Sequence, residues 1–318
     1  MELVSIEEIR DAASRIKGAA VRTPLLKQSW ASLWLKPESL QEIGAFKVRG
    51  AYNAIAALPE DQRARGVVAF SSGNHAQAVA YAAKRFGVPA VIIVPDVAPR
   101  AKVEATQALG AEVIEVPIGD QQSAALAVAE ERKLAFIPPY DHRDVIAGQG
   151  TVGLEIAEDL PDADVVLVPV SGGGLASGVG TAIKALRPEA KVFGVEPELA
   201  ADAAESLRAG KRIEWPVELR ARTIADGLRA EPSDLTFAHL QSVLDGIITV
   251  TEDEIRAAVR TLAHRSRLIT EPSGATATAA FLFHRDEFPE GKTVSVVSGG
   301  NLDPATLAEI LVPSRLTR

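Results

Sequence analysis

The strongest constraint on this chain is an alternation. Short β-branched runs at residues 67–70, 90–94, 113–116, 165–168, 192–195 and 293–297 are separated by longer alanine-rich stretches with helical spacing, such as 76–86, 101–109, 123–132 and 177–186. An apolar run of four to six residues reads as a strand buried on both faces, and a parallel connection needs a crossover. Strand, helix, strand repeated in this way predicts an α/β fold with parallel sheets. The 318 residues fit two domains or one large α/β unit. With 47% hydrophobic and 24% charged residues, the chain is neither disordered nor collagen-like.

Lysine plus arginine number 34 against 42 for aspartate plus glutamate, so the net charge is −8, the opposite of a general nucleic-acid binder. There is no cysteine, which removes disulfides, thiolate nucleophiles, iron–sulfur clusters and cysteine zinc sites together. None of the five histidines is spaced as a metal-binding H-E-x-x-H pair. The first eight residues, MELVSIEE, are acidic where a signal peptide is basic and then apolar, and the longest apolar runs, 88–94 and 165–170, fall far short of the ~20 residues of a membrane span. The expectation is a soluble, cytoplasmic protein that binds neither membrane nor nucleic acid.

Three strands end in glycine-rich turns that open helices: Ser71-Ser72-Gly73-Asn74-His75, Ser171-Gly172-Gly173-Gly174-Leu175 and Ser298-Gly299-Gly300-Asn301. Ligands of open α/β sheets bind beyond the carboxyl ends of strands, so these turns are the expected walls of a site. In the second turn, consecutive glycines let backbone N–H groups converge where a helix starting near Ser177 adds its partial positive charge, an anion cradle. It is neither G-x-G-x-x-G nor a Walker loop. By itself such a turn is either a tight connection or a seat for a small phosphate monoester. Pro138-Pro139-Tyr140 and Gly148-Gln149-Gly150 bracket the expected crossing between domains.

Lys47, in Gly44-Ala45-Phe46-Lys47-Val48-Arg49-Gly50, lies between small and aromatic residues just before a helix expected at 51–57. Desolvation or a cationic neighbour frees a lysine amine for Schiff-base chemistry. In isolation the plainer reading of Lys47 is an exposed lysine at a helix start.

The motifs Gln41-Glu42-Ile43-Gly44-Ala45-Phe46-Lys47-Val48-Arg49-Gly50-Ala51, Ser71-Ser72-Gly73-Asn74-His75-Ala76-Gln77, Ala147-Gly148-Gln149-Gly150-Thr151, Ser171 to Leu175, Thr223-Ile224-Ala225-Asp226-Gly227, Glu271-Pro272-Ser273-Gly274-Ala275 and Ser298-Gly299-Gly300-Asn301 stand in the order of the threonine dehydratase/serine racemase family. The chain resembles that family of fold-type-II, tryptophan-synthase-β-like pyridoxal-phosphate enzymes over nearly its whole length. The resemblance implies two open, twisted, mainly parallel sheets flanked by helices, with the cofactor in the cleft between domains. A large domain is expected from residues 1–60 and 145–318, and a small inserted one from 61–144.

By the same resemblance Lys47 holds pyridoxal phosphate, Phe46 lies beside the ring and Asn74 bonds its 3′-oxygen. Ser171, Gly172, Gly173, Gly174 and Leu175 form the phosphate loop, and Ser298 faces the pyridine nitrogen, a reading preferred over that of a helix-capping serine after a strand. A hydroxyl cannot protonate the ring outright as a carboxylic acid would, which disfavours transamination and favours prompt loss of a β-substituent. The free N–H groups of the helix opened by Ser71, Ser72, Gly73, Asn74 and His75 suit the substrate's α-carboxylate. Ser72 matches the serine that faces the lysine across the ring in the racemases, so elimination and racemisation are both open. Arg143 and His75 are further candidates near the carboxylate, and each is equally a surface or supporting residue. Glu196, the carbonyl of Ala200 and Asp202 match a Mg²⁺ or Ca²⁺ site of some members, a reading preferred here over a solvated acidic turn.

The match departs in three places. Ala45 stands where the family usually has serine, the segment around 24–35 is short, and residues 302–318 leave no room for the regulatory domain of biosynthetic threonine dehydratases. The function implied is a threonine/serine dehydratase, a homodimer by the same resemblance, with 3-hydroxyaspartate close behind as substrate. An amino-acid racemase, a β-replacement synthase and a non-catalytic phosphate-ligand binder are the rivals.

Overall fold

The computed structural model describes residues 2–312; Met1 and the last six residues of the C-terminal stretch lie outside the described residues. Ten strands, β1 (Leu26–Lys27), β2 (Leu33–Pro37), β3 (Val67–Phe70), β4 (Ala90–Pro95), β5 (Glu112–Val116), β6 (Ala135–Phe136), β7 (Val165–Pro169), β8 (Lys191–Pro197), β9 (Gly246–Val250) and β10 (Thr293–Val297), form two sheets. The larger has the order β1-β2-β10-β7-β8-β9 and the smaller β5-β4-β3-β6. Every pairing is parallel except β1 with β2. This is the α/β, mainly parallel two-sheet architecture expected.

The pleat explains why the strands read as continuous apolar runs. Val165 and Leu167 of β7 face one hydrophobic cluster with the helices at 252–261 and 272–283, while Val166 and Val168 face another with those at 143–159 and 174–186. The small sheet repeats the arrangement: Val67 and Ala69 pack with helices Lys47–Ala57 and Asn74–Phe86, and Val68 with Ala125 of helix Gln121–Arg132. β5 departs from the buried strand expected, since it is the sheet edge and Glu112 and Glu115 face solvent.

The short segment near residues 24–35 is an antiparallel hairpin, with Leu26 opposite Leu35 and Lys27 opposite Trp34. Gly148-Gln149-Gly150, the second bracket of the expected crossing, lies inside the 17-residue helix Arg143–Asp159. The glycines are there because backbones nearly touch: a Cβ on Gly148 would sit 2.6 Å from Gly50 Cα, and one on Gly50 2.8 Å from the Val145 carbonyl. That contact seats the Lys47 helix directly on the 143–159 helix. No helix among the described residues is long and apolar enough to cross a membrane.

Candidate active site

The residues named from the sequence as cofactor and substrate ligands meet in one cavity of about 560 Å³. Phe46, Lys47, residues 71–75, residues 171–175 and Ser298 all line it, joined by residues 226–230, Tyr140, Lys102, Glu271 and Ser273. Its walls are loops and helix starts that follow β2, β3, β7 and β10.

Lys47 is the first residue of helix Lys47–Ala57, four residues earlier than expected from the sequence. Phe46 N–H donates to the Ser298 carbonyl (3.1 Å) and Gly300 N–H to the Gly44 carbonyl (2.8 Å), which tie the helix start to the end of β10. Two residues on, the fully buried Arg49 is held by Glu38 (Nε to Oε2, 2.7 Å) and Glu155 (Nη1 to Oε1, 2.7 Å), and Glu155 also takes Lys36 Nζ at 2.6 Å. The Arg49 guanidinium holds the Glu38 carboxyl below its usual range against a strong desolvation cost. Such an internal ion cluster orients more than it stabilises, and here it fixes the helix that aims Lys47. Gln149 Oε1 accepts from Gly50 N–H (3.2 Å) and Thr151 Oγ1 from Arg49 Nη1 (3.1 Å), so the 147–151 motif serves the same seat.

Lys47 Nζ donates to the Pro139 carbonyl at 2.6 Å and lies 5.3 Å from the Phe46 ring centroid. Burial lowers its amine to about 8. No carboxylate pairs with it, so a substantial neutral fraction exists near neutral pH. The Nε2–H of the neighbouring His75 donates to the Ile137 carbonyl (2.9 Å), and burial followed by the Lys47 charge pushes its ring down to about 3, so it stays neutral.

The anion cradle is built as its glycines require. The helix begins at Gly174, three residues before the expected Ser177, with Gly173 at φ +86°, and the first carbonyl engaged is that of Gly173 by Ser177 N–H (2.8 Å). The N–H groups before Ser177 therefore have no partner within the helix, and residues 171–175 among them line the cavity. A Cβ at Gly172 would meet the Tyr140 ring at 2.5 Å. Ser171 Oγ both donates to the Ala230 carbonyl and accepts from Ala230 N–H, each at 3.0 Å, so it pins the 226–230 wall. Helix Asn74–Phe86 likewise turns its first N–H groups to the cavity, and Ser71 Oγ braces that turn by accepting from Gly73 N–H (3.0 Å). Ser298, 4% exposed, caps no helix; its Oγ faces the cavity and donates weakly to the Ser273 carbonyl (3.4 Å). A desolvated amine, a ring of unpaired N–H donors and a hydroxyl around one cavity suit a phosphate-bearing aldehyde such as pyridoxal phosphate.

Sequence reasoning left Glu271 and Asn301 without roles. Asn74 Nδ2 donates to Glu271 Oε1 (2.7 Å), Asn301 Nδ2 donates to Asn74 Oδ1 (2.8 Å), and Asn301 Nδ2 also reaches the Ile43 carbonyl (2.7 Å). The chain fixes which way the Asn74 amide points and leaves its second N–H free. A Cβ on Gly299 would lie 2.1 Å from Glu271 Oε1, so glycine there makes room for the carboxyl. Burial, then the Asp226 charge, raise Glu271 to about 8. The one sequence signal was an acidic residue ahead of a chargeless helix, Pro272–Phe283. Lys102 also crosses the cleft mouth to Asp226 (2.7 Å).

Two candidates lie elsewhere. Arg143 pairs with Glu8 (2.8 Å) and does not line the cavity. Glu196, Ala200 and Asp202 also lie outside it. Glu196 accepts from Ala203 N–H (3.3 Å) and Ala204 N–H (2.7 Å), while Asp202 Oδ2 is buried without a partner. Burial and the Asp202 charge raise Glu196 well above the carboxylate range, and burial raises Asp202 to about 7. Two buried, under-compensated carboxyls fit a hard divalent cation. Ala45 is fully buried beside Gly299, where the two residues form a bridge.

A family profile described as "Pyridoxal-phosphate dependent enzyme" matches residues 16–299. The chain is 44% identical to an L-threonine ammonia-lyase of Thermotoga maritima, covering 97% of this chain and 78% of that one. It is 39% identical to an L-threo-3-hydroxyaspartate ammonia-lyase of Saccharomyces cerevisiae, covering 96% and 95%. Among solved structures, a maize serine racemase superimposes with a TM-score of 0.91 at 40% identity, covering 96% of each chain.

Proposed function

The chain belongs to the pyridoxal-phosphate-dependent enzymes, and from that premise we propose that it is an ammonia-lyase converting a β-hydroxy amino acid to a 2-oxo acid and ammonia. Threonine and serine are the first substrates and 3-hydroxyaspartate the next. The observation that carries the reading is Lys47: a desolvated amine at about 8, on the wall shared by two helix N-termini.

Bound there, the cofactor supplies an electron sink that makes the substrate's α-proton acidic. Lys47 would hold the cofactor, and its free amine, oriented by the Pro139 carbonyl, would be the base for that proton. The 171–175 loop takes the phosphate, and the N–H groups of the 71–75 turn take the α-carboxylate. Phe46 would flank the ring, the free N–H of Asn74 would be available to the 3′-oxygen, and Ser298 would offer the ring nitrogen a hydroxyl in place of a carboxylate. The β-hydroxyl leaves as water, and hydrolysis of the released product returns that water and yields ammonia.

A racemase is the second reading, favoured by Ser72, which lines the same cavity as Lys47. The same proposal divides the chain into a large domain of 1–60 and 145–318 and a small one of 61–144. It also includes a cytoplasmic homodimer and a structural or activating Mg²⁺ or Ca²⁺ held by Glu196, Asp202 and the Ala200 carbonyl.

The test is incubation of the purified yellow holoenzyme with threonine, serine and 3-hydroxyaspartate, with and without Mg²⁺, measuring oxo acid, ammonia and chirality of the remaining substrate. Elimination that disappears with the colour in Lys47→Ala supports the lyase. Ser72→Ala should abolish racemisation and spare elimination; equal loss of both refutes the two-faced arrangement. A colourless protein indifferent to Lys47→Ala overturns the enzymatic reading.

A further inference from the structure

A second cavity, of about 280 Å³, opens beside the cleft. Phe70, Gln122, Pro139 and Tyr140 line both cavities, and Phe136 and Pro138 line only the second. Phe70 and Phe136 stack with ring centroids 6.0 Å apart and planes inclined by 8°, which gives the cavity a flat aromatic wall. Its opening is next to the chemistry, because Pro139 offers the carbonyl that holds Lys47 Nζ at 2.6 Å. The two cavities share Phe70, Gln122, Pro139 and Tyr140, so a substrate side chain leaving the Lys47 cavity on that side would enter the second one.

Asp141 and His142 at the rim are engaged, whereas the Gln122 and Tyr140 side chains have no hydrogen-bond partner among the described residues. Asp141 Oδ1 accepts from Ser233 Oγ (2.6 Å), and His142 Nδ1 accepts from Asp144 N–H (3.2 Å). No lysine or arginine lines the cavity and Asp141 adds negative charge, so the β-carboxylate of 3-hydroxyaspartate would stay in the larger cavity, which Lys102 and Arg229 line, and leave the second one to apolar groups. The volume is ample for an aryl group, since benzene enters a dry engineered cavity of about 150 Å³.

We propose that this cavity is a side-chain subsite that admits β-hydroxy amino acids whose β-carbon bears an aryl or branched apolar group. The proposal rests on the elimination reading given above. For 3-phenylserine the α-proton and β-hydroxyl leave as water, the resulting enamine tautomerises to the imine, and water hydrolyses that imine to phenylpyruvate and ammonia. No oxidant or reductant is consumed.

The experiment compares 3-phenylserine with threonine on the holoenzyme and on Phe136→Trp, which fills the subsite from a position outside the catalytic cleft. It also measures L-phenylalanine, which has no β-leaving group, through the change it causes in the bound cofactor's absorption. The wild type is expected to turn over 3-phenylserine with kcat/KM within roughly tenfold of threonine. Phe136→Trp should lower that value and L-phenylalanine affinity by roughly tenfold or more, leaving threonine within about twofold. Equal loss for both substrates assigns Phe136 a merely structural role and overturns the proposal. Threonine turnover with no response to 3-phenylserine or L-phenylalanine sinks the subsite alone, and needs no variant. No turnover of any hydroxy amino acid, with L-phenylalanine still perturbing the cofactor, sinks the elimination reading and supports the subsite.

Discussion

Glu271→Gln isolates one buried carboxyl beside Asn74. Burial and Asp226 raise Glu271 from its ordinary 4.5 to about 8. Below about pH 4.5 it is protonated folded or unfolded. Between 4.5 and about 8 the folded chain retains a proton that the unfolded chain has lost, so stability falls as pH rises and levels off above about 8. At 1.36 kcal/mol per pH unit that interval amounts to about 5 kcal/mol, a ceiling reached only if water never enters to relax the site. Glutamine cannot ionise and its amide oxygen still accepts from Asn74 Nδ2, so the variant should lack this slope. The assay is urea unfolding of the cofactor-free protein at several values from about pH 5.5 to pH 9, followed by tryptophan fluorescence. Asp202, raised to about 7, tilts both proteins in the same direction, and the difference between them belongs to Glu271. The wild type should lose at least about 2 kcal/mol more than the variant across that range. Profiles parallel to within about 0.5 kcal/mol would refute the argument that this carboxyl is buried and protonated.

Arg49→Met strips Glu38 and Glu155 of their shared partner and should cost about 3–5 kcal/mol in urea unfolding; Arg49→Lys should not rescue it, because one ammonium cannot replace the guanidinium fork. Gly173→Ala forces a side chain to φ +86° with its Cβ 2.9 Å from Thr236 Cβ. A cost of about 1–2 kcal/mol should appear as roughly tenfold weaker pyridoxal phosphate binding in equilibrium dialysis. Mg²⁺ or Ca²⁺ should raise the melting temperature of the wild type by mass action and leave Asp202→Asn unmoved; an equal rise in both would remove Asp202 from the metal site.

The glycine turns and Lys47 were legible because their chemistry is local: a strand, a turn that only small residues permit, a helix start. The strands of the large sheet were legible where both faces are buried, as in β7 and β10. Two-residue elements such as β1 and β6 were not, since they carry no period to detect. Glycines 148 and 150 hid the helix around them, because a glycine inside a helix looks like a breaker until the neighbouring backbone is seen. The Glu271–Asn74–Asn301 chain joins residues up to 227 positions apart and leaves no mark in any one segment.

The helix that begins with Lys47 has an apolar side in the core of the small sheet and a guanidinium anchored by acids of the large-sheet half. It works as a shared bearing: if one sheet shifts against the other, the amine moves with it. The wall of the second cavity formed by Phe136 and Pro138 lies off that bearing. An engineer can therefore recut the wall to change which substrates enter, whereas a single methyl added at Gly50 or Gly148 would displace the nucleophile without touching the cleft.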